Sequence, residues 1–280
     1  HMSEPNVVIV GHVCIDHNIT EHARYTSWGS SVLYIAQYLR QAYHNNPLVV
    51  SNYGPDLVPY IPEITMLPDT PSRPQTLLYE NNTQAVPRIW KAHNTVFADA
   101  PEITPDLQEA LAKADIVIVA SLLPNYSAAY IKELLGHTSG QALKLLCPQG
   151  YFRSVDAAGL VSPRNFIEAP EIIPLFDIVV YSEEDSPEAF ALANEWSKVH
   201  SQTHLVITEG SKGATIVAGS GLKHVPTTPL APEEIIDSVG CGDTFAATVV
   251  YEYYQSHDLH GAVEAAHQAA ARKLRSTPVS

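Results

Sequence analysis

Asn6–Cys14 reads NVVIVGHVC, a nearly unbroken apolar run rich in valine. A strand with one wet face alternates apolar and polar residues. A run without that alternation has to be covered on both faces, the habit of a strand inside a parallel sheet. Asp115–Ala120 (DIVIVA) repeats the pattern, and further strands are read at Leu48–Tyr53, Ala142–Cys147, Asp177–Tyr181 and His204–Thr208 (HLVIT). Ala214–Ala218 and Lys223–Val225 resemble a hairpin.

Between these runs the apolar period changes to that of a helix. In Gly29–Tyr43 the apolar positions are Val32, Ile35, Ala36, Leu39 and Tyr43. Thr104–Lys113 opens with Thr-Pro, an N-cap followed by proline in the first turn. Ser127–Leu135, a segment from Ser186-Pro187 to about His200, Gly242–Gln255 (Phe245, Val249 and Tyr253 on one face) and the alanine-rich Leu259–Leu274 complete the helices. Strands alternating with helices imply βαβ units and a mainly parallel sheet covered on both sides. In such sheets ligands bind beyond the carboxyl ends of the strands. From Pro55 to about Pro101 the chain is irregular, polar and rich in proline, with candidate strands at Gln75–Glu80 and Val86–Ala92. Proline so placed suits edges and loops, so this stretch is expected to form a small cover beside the main sheet.

The bulk properties narrow the function. The 280 residues are 45% hydrophobic, enough for one large core, and residues 3–280 are read as a single domain. His1-Met2 looks like a tag remnant. Sixteen basic against 30 acidic residues argue against a nucleic-acid or anionic-membrane binder. No apolar stretch approaches the roughly 18 residues of a membrane span, and the N-terminus lacks a secretory pattern. Cys14, Cys147 and Cys241 are far apart, so a reducing, cytoplasmic location is expected rather than a disulfide framework. The 13 histidines are scattered without metal-ligand spacing.

The chemistry concentrates in Asp237-Ser238-Val239-Gly240-Cys241-Gly242-Asp243-Thr244-Phe245. Two glycines around one small residue let the backbone aim several N–H groups at one point, and the helix that follows adds its positive end. Gly240, Cys241 and Gly242 are therefore candidates for an anion hole that holds a phosphate during transfer. Asp243 stands at its mouth, where a base can take a proton from an attacking hydroxyl. The competing reading is a glycine-rich turn with Asp243 as a helix cap. Gly-Lys-Ser/Thr is missing, and so is the third glycine of a dinucleotide fingerprint.

This stretch resembles the Asp-Thr-x-Gly-Ala-Gly-Asp-x-Phe signature of the ribokinase (PfkB) family of sugar and nucleoside kinases, with Ser238 for threonine and Cys241 for alanine. The resemblance continues in VVIVGHVCID, where Asp16 matches an aspartate that binds substrate hydroxyls. It continues in Trp28-Gly29-Ser30, like the family's Gly-Gly hinge, and in HLVITEGSKG (204–213), like its strand and Thr-x-Gly. The family's fold is a three-layer α/β/α sandwich with a mainly parallel central sheet and a small β lid, here expected from about 12–28 and 70–95. Its chemistry is ATP-dependent phosphorylation of a hydroxyl, with Asp243 as base. By the same resemblance Ser182, Thr208, Glu209, Gly210, Gly213 and His267 hold the nucleotide, and Asp16, Gly29, Ser30, Tyr34, Gln149 and Arg153 hold the substrate. Mg²⁺ is the implied metal, with a monovalent cation as an additional candidate.

The family's Asn-x-x-Glu, which organises magnesium through water, falls on Ser182-Glu183-Glu184-Asp185. Asp185 keeps the end charge and Glu184 is a fallback; an acidic helix start explains them equally well. Tyr34 replaces an asparagine, and Cys147 an aspartate. Arg153 can clamp a phosphate or a hydroxyl, or form a surface ion pair. His12 and His17 flank Asp16 and are either pocket residues or structural. Arg73 and Arg88 fall in the expected lid, where they either close over substrate or stay solvated. The opening motif, Gln149…Arg153, Ser-Glu-Glu and Ile-Thr-Glu-Gly look most like the inositol-kinase-like branch, which implies an inositol, sugar or nucleoside acceptor. A monomer or homodimer is expected. Two alternatives stay open: a kinase-fold protein that binds without turnover, and a vitamin-type kinase of the same superfold.

Overall fold

The computed structural model describes residues 4–61, 63–85, 89–236 and 238–276. Its strands are β1 (Val7–Gly11), β2 (Cys14–Ile19), β3 (Arg24–Gly29), β4 (Leu48–Val50), β5 (Thr65–Leu67), β6 (Leu78–Asn82), β7 (Ile89–His93), β8 (Ile116–Ala120), β9 (Leu143–Cys147), β10 (Arg153–Val155), β11 (Val161–Pro163), β12 (Ile178–Ser182), β13 (His204–Thr208), β14 (Ala214–Ala218) and β15 (Gly221–Val225). The α-helices are α1 (Ser31–Tyr43), α2 (Pro105–Lys113), α3 (Ala128–Gly136), the single turn α4 (Ala169–Ile172), α5 (Ala189–Val199), α6 (Cys241–Ser256) and α7 (Leu259–Leu274).

The main sheet has nine strands in the order β15-β14-β13-β12-β9-β8-β1-β4-β5. It is parallel from β5 through β13, and β14 and β15 turn back antiparallel. Valine and isoleucine explain this centre, because β1 and β8 are buried at every position and no polar face could be accommodated. Alternate side chains enter opposite cores. Ile9, Ile118, Leu145 and Val206 join α1, α6 and α7 on one side. Val8, Val119, Leu146 and Leu205 join α2, α3 and α5 on the other. The result is the three-layer α/β/α sandwich. Each buried branched side chain contributes about 1.5–3 kcal/mol relative to exposure, so the two cores together anchor the strand ends that carry the site.

Caps set where several helices begin. Ser30, Thr104, Ser127 and Asp258 accept from the N–H of Leu33, Leu107, Tyr130 and Gly261 respectively, each satisfying an otherwise orphaned donor. The helix expected from Ser186 starts instead at Ala189. There the Ser186 hydroxyl accepts from the Glu188 N–H and holds a turn ahead of the helix.

A second sheet of four strands runs β3-β2-β6-β7. The strand expected at Gln75–Glu80 is β6, displaced toward its C-terminus. The strand expected at Val86–Ala92 is described only from Ile89, because residues 86–88, including Arg88, lie outside the described residues. The proline-rich stretch is not wholly separate from the main sheet, since Thr65–Leu67 pairs with β4 as its edge strand. Three residues with one apolar partner face are too short to show a period, so pattern reading passes over them. Among the described residues no helix is long and apolar enough to cross a membrane.

Candidate active site

In the main sheet β1 lies between β4 and β8, so the chain leaves β1 toward one edge and returns on its other side. That reversal is the switch point at which open α/β sheets leave a crevice beyond their strand ends. Asp16 follows β1 by one short turn. Arg153 follows β9 through a single 3₁₀ turn, Gln149–Phe152. Ser182 ends β12 and Thr208 ends β13, and the two pair in register. The N-terminus of α6 points at the same region.

Asp243 is the centre of this arrangement. Gly240 caps α6 at φ 81°, and the first bond of the helix runs from Thr244 N–H to Gly240 O at 2.9 Å. The N–H groups of Gly242 and Asp243 precede that bond and stand in the open first turn. A Cβ on Gly242 would meet nothing within 4 Å, so there is room above the turn for an anion. The Cys241 thiol turns away and donates to Ala270 O at 3.8 Å. Burial pushes the Asp243 carboxyl up to about 6, the Ser31 hydroxyl and Arg153 hold it down, and Asp185 adds to the rise.

Arg153 is the shared cation. Its charge acts on Asp16, Asp185 and Asp243 alike. Its guanidinium carbon lies 5.9 Å from the centroid of the Tyr79 ring, and the Tyr79 hydroxyl donates to Leu122 O at 2.9 Å. Burial also pushes Asp16 up to about 6, opposed by the Cys14 thiol, which donates to its Oδ1 at 3.4 Å, and by Arg153 and His17. Asp16 packs against Gly29 so closely that a Cβ there would stand 2.1 Å from Oδ2. Only glycine permits that approach.

The adjoining Ser30 adopts φ 95°, ψ 147°, a conformation that a side chain resists, and spends its hydroxyl on capping α1. Tyr34 stacks tilted on Trp28 at 4.7 Å, and its Cδ1 lies 2.9 Å from where a Cβ on Gly240 would stand. Gln149 is half-buried in the same 3₁₀ turn.

Among the acidic residues after β12, Asp185 turns inward and Glu184 is exposed. Asp185 Oδ2 accepts from Ser182 N–H at 2.9 Å, and burial raises its pKa against that bond and Arg153. Among the described residues no group of three His, Cys, Asp or Glu could hold a metal alone. Gly210 and Gly213 both take positive φ, 58° and 104°. The Glu209 carboxylate accepts from Thr215 Oγ1 at 2.8 Å and pairs with His224 at 3.3 Å, so that side chain is engaged behind the loop. His267 donates from Nε2 to Val225 O at 2.9 Å, and burial lowers its pKa.

Some singled-out residues serve the scaffold. His12 is buried, accepts from Leu122 N–H at 3.0 Å through Nδ1 and donates to Asn125 Oδ1 at 2.6 Å, so burial drives its pKa down to about 4. His17 is exposed on the opposite face of β2 from Asp16. Arg73 forms a bidentate pair with Asp99 at 2.9 and 2.7 Å, which fastens it to the base rather than leaving it to close over a ligand.

Sequence reading missed three neighbours of the site: Ser31, Tyr79 and Cys14 in its role beside Asp16. Ser31 adjoins the quoted Trp28-Gly29-Ser30, so its signal was one residue away. Tyr79 had none, because its contact with Arg153 joins residues 74 positions apart.

A nine-stranded, mainly parallel sheet with a four-stranded side sheet and a glycine-bracketed aspartate at a helix start defines a ribokinase-like kinase fold. Comparison with known proteins agrees. Residues 68–279 match the model of the pfkB family carbohydrate kinases, and the chain belongs to that family. A cytidine kinase of Thermococcus kodakarensis is 30% identical over 98 residues, 35% of this chain and 34% of that enzyme, so the match spans about a third of the relative's length. The fold is similar to a pyrophosphate-dependent kinase of the ribokinase family solved with a pyrophosphate analog and myo-inositol (TM-score 0.77, 17% identity, 97% of this chain and 96% of that one). It is also similar to an uncharacterized sugar kinase from Pyrococcus horikoshii solved with ATP (TM-score 0.69, 18% identity, 97% and 93%).

Proposed function

We propose that this protein is an ATP-dependent kinase that phosphorylates a hydroxyl of a small polyhydroxy acceptor, a sugar, an inositol or a nucleoside, with Asp243 as the base. The observation that carries this reading is the placement of the Asp243 carboxylate at the open first turn of α6, hydrogen-bonded by Ser31 and facing Arg153. A carboxylate poised near 6 is ionised at neutral pH and still basic enough to accept a hydroxyl proton. The N–H groups of Gly242 and Asp243 would stabilise charge on the transferring phosphoryl group. Asp16, fixed against Gly29, would hold neighbouring hydroxyls and orient the acceptor for in-line attack.

Nucleotide phosphates would lie over the Thr208–Gly213 loop, whose two positive-φ glycines allow close backbone approach. A carboxylate oxygen set suits Mg²⁺, which commonly takes one or two carboxylates plus phosphate oxygens. Asp185 fits that part, and the ion when bound supplies neutralising charge at the phosphates. The four-stranded sheet would act as a lid that excludes water from the transfer.

The test is ADP release with Mg²⁺ across a panel of inositols, pentoses, hexoses and nucleosides, run beside Asp243→Asn and with pyrophosphate as an alternative donor. Acceptor-stimulated turnover lost in the variant supports the reading. Equal binding of ATP and acceptor to both proteins, without turnover in either, overturns it in favour of a protein that binds only.

A further inference from the structure

Arg153 opens a hairpin whose far end rests on the four-stranded sheet. Its arms, β10 and β11, pair antiparallel from Arg153↔Pro163 to Val155↔Val161. The turn of residues 156–160 that joins them is held from within. Asp156 Oδ1 accepts from the N–H groups of Ala158 and Leu160, each at 2.9 Å, and Asp156 N–H donates to Leu160 O at 3.1 Å. The tip of the turn leans on β7, the end strand of the four-stranded sheet. There Ala92 N–H donates to Gly159 O at 2.8 Å, and Lys91 pairs with Leu160. Gly159 holds φ 86°, and a Cβ on it would stand 2.6 Å from Ala92 O, so this approach requires glycine. Behind the contact, Val155 and Val161 pack against the cluster that includes Cys14, Leu77, Tyr79 and Leu122.

These contacts close a ring. Ala92 lies opposite Tyr79 across β7 and β6, and Tyr79 lies opposite Asp16 across β6 and β2. The Arg153 guanidinium lies over the Tyr79 ring at 5.9 Å. Arg153 is thus tied to the four-stranded sheet twice, by its side chain at Tyr79 and, six residues on, by the turn at Gly159. Its backbone is fixed from the other side. Arg164 N–H donates to Phe152 O at 2.8 Å, the Arg164 guanidinium donates to Tyr151 O at 2.9 Å, and Glu168 braces that guanidinium at 2.7 Å. The hairpin is hydrogen-bonded between its arms and packed behind, and packed structure transmits displacement rather than absorbing it. A shift of β7 therefore reaches the arm that carries Arg153. The charge of that residue acts on Asp16, Asp185 and Asp243 alike, and a misplacement of about 1 Å in such a group can cost roughly 10²-fold in rate.

Resting on the kinase reading above, we infer that Gly159 is a positioning residue: the turn that carries it couples the seating of the four-stranded sheet to the placement of the Arg153 guanidinium among the carboxylates of the site. Gly159 itself touches no substrate and acts only through Arg153. Seating of the sheet and placement of the shared cation are one event, so the cation is in place only while the sheet covers the site.

The experiment measures kcat and KM of the full chain with ATP, Mg²⁺ and cytidine, ribose or myo-inositol as acceptor, in the wild type, Gly159→Ala, Ala92→Pro, Arg153→Met and the two double variants with Arg153→Met. Gly159→Ala pushes the turn off β7. Ala92→Pro reaches the same contact from the other side by removing the N–H that donates to Gly159, and proline is tolerated on an end strand. Melting temperatures establish that the variants are folded, and either contact variant decides the question. Each is expected to lower kcat roughly 10- to 10²-fold with KM for ATP within about 2-fold. In the Arg153→Met background the same substitutions are expected to change kcat by less than about 2-fold, because the group they position is gone. A turn that only supports the fold would give losses that multiply with that of Arg153→Met, and this result overturns the inference while leaving the kinase reading intact. A folded contact variant with wild-type kcat overturns it too. If the wild type turns over no acceptor at all, the kinase reading itself fails, and the inference with it.

Discussion

The ring of Tyr34 occupies the space a side chain on Gly240 would need: its Cδ1 is 2.9 Å from an ideal Cβ at that position. Gly240 also holds φ 81°. The start of α6 is thereby pressed against α1, and the open turn beside Asp243 depends on a residue without a side chain.

Gly240→Ala is expected to destabilise the protein by about 1–3 kcal/mol through the left-handed backbone and to abolish turnover. Gly242→Ala is the control. Nothing lies within 4 Å of its Cβ, so the fold should persist. The new methyl enters the space proposed for phosphate, so the donor KM should rise while the melting temperature changes little.

Asp243→Asn should lower kcat roughly 10²- to 10⁴-fold with the acceptor KM nearly unchanged. It should also stabilise the folded state at neutral pH. A carboxyl raised to about 6 binds protons more tightly folded than unfolded, so stability falls as pH rises from about 4 to 6 and stays reduced above. The gain from the amide should therefore be present at pH 7 and shrink toward pH 4. Chemical denaturation at the two pH values measures it.

The pH profile of kcat/KM should show an acid limb near 6, because the roles proposed for Asp243 and Asp16 require both to be ionised and both sit at about 6. The limb belongs to the coupled pair rather than to either residue. Arg153 holds both values down, so Arg153→Met should move the limb to higher pH and Arg153→Lys should leave it near its original place. An unmoved limb in Arg153→Met would show that the guanidinium does not govern the ionisation of Asp243 and Asp16.

Ser30→Gly should stabilise the protein. Serine at φ 95°, ψ 147° carries strain of about 1–3 kcal/mol, whereas exchanging a serine cap for glycine loses only a few tenths. A melting temperature raised by a few degrees is expected, and a lowered one would mean that the cap to Leu33 outweighs the strain.

Much of this protein is legible in its sequence. The unbroken Val/Ile runs of β1 and β8 can only be interior parallel strands, since no polar side exists to face water. The caps Thr104 and Ser127 mark helix starts by local chemistry alone. The glycine-bracketed Asp243 reads as a phosphate site because tight turns, free N–H groups and a helix start are properties of neighbouring residues. Even the misfit at Ser30 is visible as a serine where glycine is expected.

Contacts between distant segments are what sequence reading could not supply. Nothing local says that Ser31 bonds Asp243, that Arg153 lies over Tyr79, or that Arg73 is spent on Asp99. Nor does period-two patterning reveal the short edge strand β5. Above all, the register that lines up Asp16, Tyr79 and Ala92 comes from two separate strand pairings. A slip of one residue in either of them would turn its strand's side chains to the other face. Local sequence determined the elements and the glycine-bracketed turn at Asp243, because those depend on residues a few positions apart. Tertiary structure decided which side chains share the pocket, because that depends on burial and pairing across the whole chain.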